Sequence, residues 1–463
     1  MICTDPFHVK DKTDYNNQGK DDIRGFQIVS HRSFHYNRSL HTNTATIDGM
    51  LVAVLQKWWL FGLSVAVIST SVILGIHNAT LYQHSHGFDG TGHYYYIEYI
   101  YDKGELPEPS SNWETHQPPL YYLIGAGVMH IFGTMKSAQY INTFVLWAII
   151  GISGLGLWRV FHNKTQTLIG MLSLAALPML NIFPAMITNE LLSTFWILSA
   201  LVAGIYVITE ENKKKTIYYL IWMFASIIFG WWTKVSIILI IPSMLMVLAL
   251  FIHKYKKDKK LLTIFALLFI ISVVFSLPSL LRIRNVSYVN NLQNVEKLVE
   301  NKRPLDFYYR LDWIPKVDMY TTQYYSLTGA AWNSFWSDGH NAITPFIAFH
   351  KKAFILWTLG FVLLPLSLYG LYRSWSKSKR ISLYMIIIGA TMLGMYVYYN
   401  YSSDHYSSAR LTYEMGIVLP YAFGISAAVE GRKLRNAIIF FLFIQFAIMI
   451  SFYWIEPWWH VTR

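Results

Sequence analysis

The sequence predicts an all-α, polytopic integral membrane protein. Of its 463 residues, 54% are hydrophobic and only 14% are charged, whereas a soluble domain carries about a quarter charged residues. The mean hydropathy is +0.32, and apolar segments long enough to cross a bilayer as a helix recur along the chain. The net charge of +12 does not indicate nucleic-acid binding, because Lys and Arg are concentrated in short loops, where membrane orientation explains them.

Residues 1–50 are predicted to be a polar, disordered cytoplasmic tail, since they contain no apolar core. A misassigned start upstream of Met50 is the alternative explanation of this composition. The first apolar segment lies too far along the chain for an ordinary cleavable signal, so it is interpreted as a retained span. Residues 51–463 are predicted to form the membrane domain. The single cysteine, Cys3, excludes an intrachain disulfide and says nothing about the compartment.

Twelve apolar windows are candidates for membrane spans. They are residues 58–76, 120–132, 138–157, 167–183, 191–208, 217–232, 235–252, 261–281, 353–372, 381–399, 411–428 and 437–454. Window 120–132 follows Pro118-Pro119 and has the length typical of an interfacial segment. We therefore expect it to lie on the membrane surface or dip into it.

The charged loops set the expected topology. Five short loops are basic, and short cytoplasmic loops are enriched in Lys and Arg; these loops lie near residues 159–164, 213–215, 254–260, 373–380 and 432–435. If window 120–132 does not cross the membrane, all five basic loops face the cytoplasm; if it does cross, all five face outward, against this rule. We therefore expect about eleven crossings, with the N-terminus inside and the C-terminus outside. Residues 79–137 and 282–350 then form a first and a long outer loop.

The first outer loop carries the strongest candidate for chemistry. Asp89 and His93 are four residues apart, so they share one face of a predicted amphipathic helix over residues 92–103 that ends at Gly104. The simpler interpretation is that Asp89 caps this helix. A role as a base that activates a hydroxyl group is favoured because further ionisable residues crowd the same loop, namely His86, Glu114 and His116.

The motifs of this loop resemble the first outer loop of the GT-C membrane glycosyltransferases. These motifs are Asp89-Gly-Thr-Gly-His93, then Gly104-x-Leu106-Pro107, then His116-Gln117-Pro-Pro-Leu-Tyr-Tyr122. They are most similar to the branch of the dolichyl-phosphate-mannose protein mannosyltransferases and the lipid A aminoarabinose transferases. Weaker matches follow in order at Thr188-Asn189-Glu190, Gly230 to Thr233-Lys234, Ser334-Phe335-Trp336, and Ala409-Arg410 to Tyr413 and Pro420.

The resemblance implies a GT-C fold and a transferase that takes a sugar from a polyprenyl-phosphate carrier, inverting at the anomeric carbon. It places the family's catalytic acidic residue on Asp89. The substrate-binding residues expected with it are His93, His116, Gln117, Glu190, Lys234, Trp336 and Arg410. Neither a soluble cofactor nor a metal is implied, and a divalent metal has no support in the sequence. The expected partners are the lipid-linked sugar and membrane lipid, with no nucleic acid.

The sequence departs from the family pattern in three places. Gly90 stands where a second acidic residue is usual, Ser337-Asp338 stands where a glycine is usual, and Tyr413 does not follow Arg410 directly. These departures keep open an inactive relative that acts as a scaffold. A secondary transporter or lipid flippase is the other alternative, although transporters bind near the midplane on repeated halves and no repeat is visible.

Simple chemistry supports the same assignment. Transfer to a hydroxyl group needs a base and cations on the departing phosphate, for which Asp89, Lys234 and Arg410 are suited. Alternatively, both cations extend from span ends to the interface. Asn189 is more simply explained as a helix cap, and aromatic residues such as Trp336 as an interfacial belt. The expected location is the plasma membrane of a bacterium, or the endoplasmic reticulum of a eukaryote, with an extracytoplasmic active site.

Overall fold

The computed structural model describes residues 42–284, 303–311, 326–337, 350–402, 409–429 and 431–455. The chain divides into two units, Met1–Leu55 and Gln56–Arg463, and every contact reported below lies within the second. Helix α1 begins at Thr42, so residues 42–50 of the predicted disordered tail are helical. The rest of the predicted tail, residues 1–41, lies outside the described residues.

Every regular element in the described part of the chain is helical, which confirms the all-α class. The α-helices are α1 Thr42–Leu81, α2 Gly90–Lys103, α3 Leu120–Phe132, α4 Met135–Phe161, α5 Lys164–Ala175, α6 Pro178–Asn181, α7 Glu190–Thr209, α8 Lys213–Thr233, α9 Ile241–Tyr255, α10 Lys259–Arg284, α11 Leu327–Trp336, α12 His350–Lys377, α13 Lys379–Ser402, α14 Val418–Ala428 and α15 Arg432–Tyr453. Short 3₁₀ helices occupy Phe183–Ala185, Val235–Ile240, Leu305–Tyr308 and Leu411–Ile417.

Nine helices in the described ranges are long and apolar enough to cross a membrane, or ten if one bent pair is a single span. The bent pair is Lys164–Ala175 with Pro178–Ala185, at 58°, and Pro178 explains the break because its ring cannot continue the preceding helix. The window 411–428 is split into a 3₁₀ helix and the 11-residue α14. The count of eleven crossings therefore stays a prediction.

Both predicted surface helices are present, one with the expected bounds and one that begins two residues earlier than expected. Helix α3 covers Leu120–Phe132 and has 13 residues, too few to cross a bilayer. Helix α2 covers Gly90–Lys103 and ends at Gly104, whose φ of 70° is left-handed. The two helices pack together through Tyr96, Ile97, Tyr121 and Tyr122, which are fully buried.

Helix α7 lies at the centre of the bundle, and an ion pair lies at each of its ends. It is 83% buried over its apolar window, whereas α10 is only 17% buried and lies at the periphery. The N-terminal residue of α7, Glu190, pairs with Lys234. Beyond its other end, Glu210 pairs with Arg159 at 3.0 Å. The pair Glu190–Lys234 and the pair Glu210–Arg159 therefore lie at opposite ends of the same helix, about 30 Å apart.

Candidate active site

Asp89 lies in a left-handed turn immediately before helix α2. Its φ of 54° is rare for a residue other than glycine, and its side chain makes no capping hydrogen bond. The interpretation of Asp89 as a helix cap is therefore wrong. The carboxylate is 43% exposed and lies 3.8 Å from the guanidinium of Arg410, which is itself 5% exposed. Unusual backbone geometry of this kind is concentrated at functional sites.

Two glycines allow this loop to close tightly around Asp89. A Cβ atom at Gly90 would lie 2.8 Å from the backbone oxygen of Ser85, so no side chain fits where the related enzymes carry a second acid. A Cβ atom at Gly92 would lie 1.9 Å from the Trp113 ring and 2.6 Å from the side chain of Glu114. The loop of residues 105–119, which carries Glu114 and is called the Glu114 loop below, therefore packs directly against the first turn of α2.

Asp89, Glu114, Glu190, Lys234 and Arg410 form a polar cluster. His93 is part of the buried hydrogen-bond network beside it. Its Nδ1 lies 2.9 Å from the hydroxyl of Tyr122 and 3.6 Å from the carboxyl of Glu114. Burial, followed by the positive charges of Lys234 and Arg410, lowers the pKa of His93 to about 3. Burial and the charge of Asp89 raise the pKa of Glu114 to about 8. The contact between them therefore joins two neutral groups near pH 7.

Asn189 continues this network toward helix α8. Its side-chain amide donates to the hydroxyl of Tyr122 and to the backbone oxygen of Thr233, each at 3.4 Å. It makes no side-chain capping hydrogen bond at the start of α7, so the capping interpretation is wrong here as well. Asn189 instead connects the start of α7 with α3 and, through Tyr122, with His93.

Lys234 and Glu190 form the tightest ion pair of the cluster. The ammonium lies 2.5 Å from the carboxylate, and the two side chains are only 14% and 8% exposed. The same ammonium lies 5.2 Å from the ring centre of Tyr413. Lys234 is therefore held inside the site, and it does not extend along the bundle surface.

Arg410 joins the segment after helix α13 to the Asp89 loop. Its guanidinium donates to the hydroxyl of Tyr413 and lies over the rings of Phe88 and Tyr413, at 4.2 and 4.5 Å. The displacement of Tyr413 along the sequence does not separate it from Arg410, because the 3₁₀ helix Leu411–Ile417 brings the side chains together.

The remaining predicted site residues occupy different surroundings. His116 is half-buried, and burial is the main cause that lowers its pKa. Gln117 is half-buried, and its backbone oxygen accepts a hydrogen bond of 3.4 Å from Tyr96. Trp336 is 1% exposed and packs against Tyr421, with ring centres 5.7 Å apart. No described contact joins Trp336 to Asp89.

Helix α11 nevertheless touches the segment that carries Arg410. The hydroxyl of Ser334 accepts a hydrogen bond of 2.9 Å from the backbone of Leu411. The Ser334-Phe335-Trp336 motif thus contacts the first residue of the 3₁₀ helix Leu411–Ile417 through Ser334 and helps to hold that helix in place. Its contribution to the site is therefore made through that helix.

Several buried polar atoms around the cluster have no hydrogen-bond partner among the described residues. They are Glu114 Oε2, His116 Nδ1, Asn189 Oδ1, Arg410 Nε and Glu414 Oε2. Unsatisfied buried polar atoms are costly, and such groups in a native structure need an explanation. A polar ligand bound at the site would supply partners for these atoms. Within the described ranges, no group of three or more His, Cys, Asp or Glu residues is placed to hold a metal ion.

Sequence reasoning did not assign a role to three residues that belong to the cluster, namely Tyr122, Arg282 and Glu414. Arg282 donates to the backbone oxygens of Pro107 and Thr115, at 2.6 and 2.8 Å, and so fixes the Glu114 loop. Glu414 is 3% exposed at a kink with φ of −107° and ψ of 35°. A lone acidic residue within the apolar window 411–428 was the available signal for Glu414, since such residues mark functional sites.

Comparisons with known proteins agree with this architecture. The family profile described as dolichyl-phosphate-mannose-protein mannosyltransferase matches residues 116–277. No curated protein sequence matches the chain. The crystal structure of ArnT from Cupriavidus metallidurans in the apo state is similar with a TM-score of 0.50 and 14% identity, covering 80% of this chain and 59% of ArnT.

Two further structures are similar. ArnT from the same organism bound to undecaprenyl phosphate has a TM-score of 0.50 and 15% identity, covering 80% of this chain and 60% of that one. The Archaeoglobus fulgidus oligosaccharyltransferase has a TM-score of 0.47 and 13% identity, covering 84% and 53%. The chain spans about three fifths of the length of the ArnT chains. The chain therefore has an ArnT-like fold, and the family match over residues 116–277 supports its resemblance to the GT-C membrane glycosyltransferases, near the branch of the protein mannosyltransferases and ArnT.

Proposed function

We propose that this protein transfers a glycosyl unit from a polyprenyl-phosphate carrier to an acceptor on the extracytoplasmic side of the membrane. The observation that carries the proposal is the approach of Arg410 to Asp89, 3.8 Å apart. A half-exposed carboxylate beside a buried cation provides a base for the acceptor and a binding group for the departing phosphate. Lys234, held by Glu190, adds a second cation at the same end of the bundle.

The reaction follows from these roles. The Asp89 carboxylate takes the proton of the acceptor group while the acceptor atom forms a bond to the anomeric carbon. The bond from that carbon to the phosphate oxygen breaks, and the polyprenyl phosphate leaves with the electron pair. Arg410 and Lys234 stabilise the charge that develops on the phosphate. Because attack and departure occur on opposite faces of the sugar, the configuration inverts.

The comparisons support the carrier. One similar crystal structure, that of ArnT, is bound to undecaprenyl phosphate. A polyprenyl phosphate keeps its tail in lipid and its phosphate at the interface, and the cluster lies at the ends of spanning helices. The donor is therefore taken to be a polyprenyl-phosphate sugar, and no soluble cofactor or metal is assigned.

The charge distribution supports the proposed side. Arg159, Lys213 and Lys254 lie at the end of the bundle opposite Glu190 and Lys234, and they pair there with Glu210, Asp258 and Glu211. Since basic loops remain in the cytoplasm, the cluster faces the other side. The protein is then an integral protein of the plasma membrane if bacterial, or of the endoplasmic reticulum if eukaryotic.

A transfer assay tests the activity. Purified protein in lipid nanodiscs is given a panel of polyprenyl-phosphate sugars, and mass spectrometry follows free polyprenyl phosphate and glycosylated acceptors extracted from membranes. Turnover by the wild type that is lost in Asp89→Asn supports the proposal. Solute uptake into proteoliposomes without any sugar transfer would instead establish the transporter alternative, and a folded protein that does neither would establish an inactive scaffold.

Cysteine labelling tests the proposed side. The only cysteine, Cys3, is first replaced by serine. Glu108→Cys and Ser376→Cys then introduce one thiol each at exposed positions, the first in the Glu114 loop and the second at the C-terminal end of α12. In intact cells, a membrane-impermeant maleimide should label position 108 and not position 376. The reverse pattern would place the cluster in the cytoplasm and exclude the proposed sidedness.

A further inference from the structure

We propose that Glu114 is a substrate-binding residue that donates a hydrogen bond, as a neutral carboxylic acid, to a hydroxyl group of the donor sugar or of the acceptor. This inference rests on the proposed function and adds a binding group to the same site. The Glu114 side chain is 11% exposed, and its Oε2 atom has no hydrogen-bond partner among the described residues. The proposed ligand hydroxyl supplies a partner for this buried group.

The loop is built to hold this side chain in place. The Thr115 hydroxyl donates to the backbone oxygens of Asn112 and Pro109, at 2.7 and 3.1 Å, and accepts from the backbone of Asn112 at 3.0 Å. Arg282 clamps the same residue by donating to the Thr115 backbone oxygen at 2.8 Å. The backbone on either side of Glu114 is therefore held in place without a ligand, which lowers the cost of ordering a binding residue.

The helix that faces Glu114 is shaped to accept it. At Gly92 any side chain would overlap the Glu114 side chain, since a Cβ atom would lie 2.6 Å from Glu114 Cγ. The carboxyl group thereby comes within 3.6 Å of His93. Because Gly90 leaves no space for an acid next to Asp89, Glu114 provides the second carboxyl group of the Asp89 loop region.

The surrounding charges determine the protonation of Glu114. It faces neutral His93 on α2, Asp89 before α2, Glu190 on α7, and the cations Lys234 and Arg410. Burial and the negative charges outweigh the two cations and raise the pKa of Glu114 to about 8. At pH 7 the group therefore carries a proton that it can donate. A hydroxyl group suits this neutral donor, because Asp89 is already assigned to the acceptor proton, and Lys234 and Arg410 are already assigned to the phosphate.

Kinetics across pH test the inference. The ratio kcat/KM of the wild type should fall above pH 8, as Glu114 ionises and loses its proton. Glu114→Gln keeps a neutral donor of similar shape, so it should remove this alkaline decline. Glu114→Ala should lower kcat/KM about tenfold, the effect of one lost hydrogen bond. An increase in KM for the polyprenyl-phosphate sugar assigns the hydroxyl to the donor, and an increase for the acceptor assigns it to the acceptor.

Glu108→Gln is the matched control, because Glu108 is an exposed carboxylate of the same loop; it should leave the pH profile unchanged. An alkaline decline that persists in Glu114→Gln, or unchanged kinetics in Glu114→Ala, would overturn the inference while the wild type still transfers sugar. A wild type without any transfer would overturn the proposed function and this inference with it. Thermal unfolding of each variant in detergent distinguishes lost binding from lost folding.

Discussion

The guanidinium of Arg410 lies 3.8 Å from the carboxylate of Asp89, although the two residues are far apart in the sequence. Arg410 is almost completely buried, whereas Asp89 is about half exposed. The stacking of Arg410 on the rings of Phe88 and Tyr413 compensates part of the cost of burying its charge. This arrangement leaves one side of the Asp89 carboxylate open to an incoming acceptor.

Asp89→Asn should reduce sugar transfer by about 10²–10⁴-fold, the usual contribution of a general base. Folding should be preserved, because asparagine tolerates the left-handed conformation of this position and the side chain makes no capping hydrogen bond. Product formation and the melting temperature are both measured. Asp102→Asn, at an exposed position of helix α2, which follows Asp89, is the control, and equal losses in the two variants would contradict the assigned role.

Lys234 and Glu190 should depend on each other for stability. Lys234→Met or Glu190→Gln alone leaves one buried charge without its partner, which costs about 3–5 kcal/mol when a buried pair is broken. The double variant removes both charges and should be destabilised by less than the sum of the single variants. Denaturation of the four proteins in detergent gives the coupling free energy. A coupling of zero would show that the pair does not form.

Gly92→Ala should disrupt the contact between α2 and the Glu114 loop. Its Cβ atom would lie 1.9 Å from Trp113 Nε1 and 2.6 Å from Glu114 Cγ, and overpacking of this kind costs about 1–3 kcal/mol. Both the melting temperature and sugar transfer should fall. Gly127→Ala in α3 meets nothing within 4 Å and should leave both unchanged or slightly improve stability. Indistinguishable variants would show that the close approach at Gly92 is unimportant.

The free energy of unfolding should decrease as the pH rises from 6.5 to 8. The folded protein keeps a proton on Glu114 up to a pKa of about 8, whereas the unfolded chain loses it near 4.5. Stability therefore falls by about 1.4 kcal/mol per pH unit within this interval. Buried His93, whose pKa is about 3 in the folded state, has the opposite effect, but only below its ordinary value of 6.5.

Glu114→Gln should flatten this dependence between pH 6.5 and 8. Denaturant unfolding in detergent at several pH values measures it, with Glu108→Gln as the exposed control. A slope that is the same in the wild type and in Glu114→Gln would mean that Glu114 is ionised in the folded protein.

The sequence alone determined the helical membrane class, the end of α2 at Gly104 and the short α3, because these depend on local composition, periodicity and breaking residues. It also identified Asp89, Glu190, Lys234 and Arg410 as polar residues at span ends. The structure brings these four together in one cluster. Charge patterning predicted only that these residues share one side of the membrane, since basic loops and polar loops alternate along the chain.

Only the tertiary structure decided which polar groups are neighbours. The approach of Glu114 to His93 depends on the packing of a loop against Gly92, and no local pattern specifies that contact. Glu414 enters the cluster because the window 411–428 breaks into a 3₁₀ helix where an unbroken span was expected. Trp336 lies against Tyr421, a residue of α14 that is distant from it in the sequence. Side-chain neighbours depend on how helices distant in sequence pack together, whereas the helices themselves depend on nearby residues.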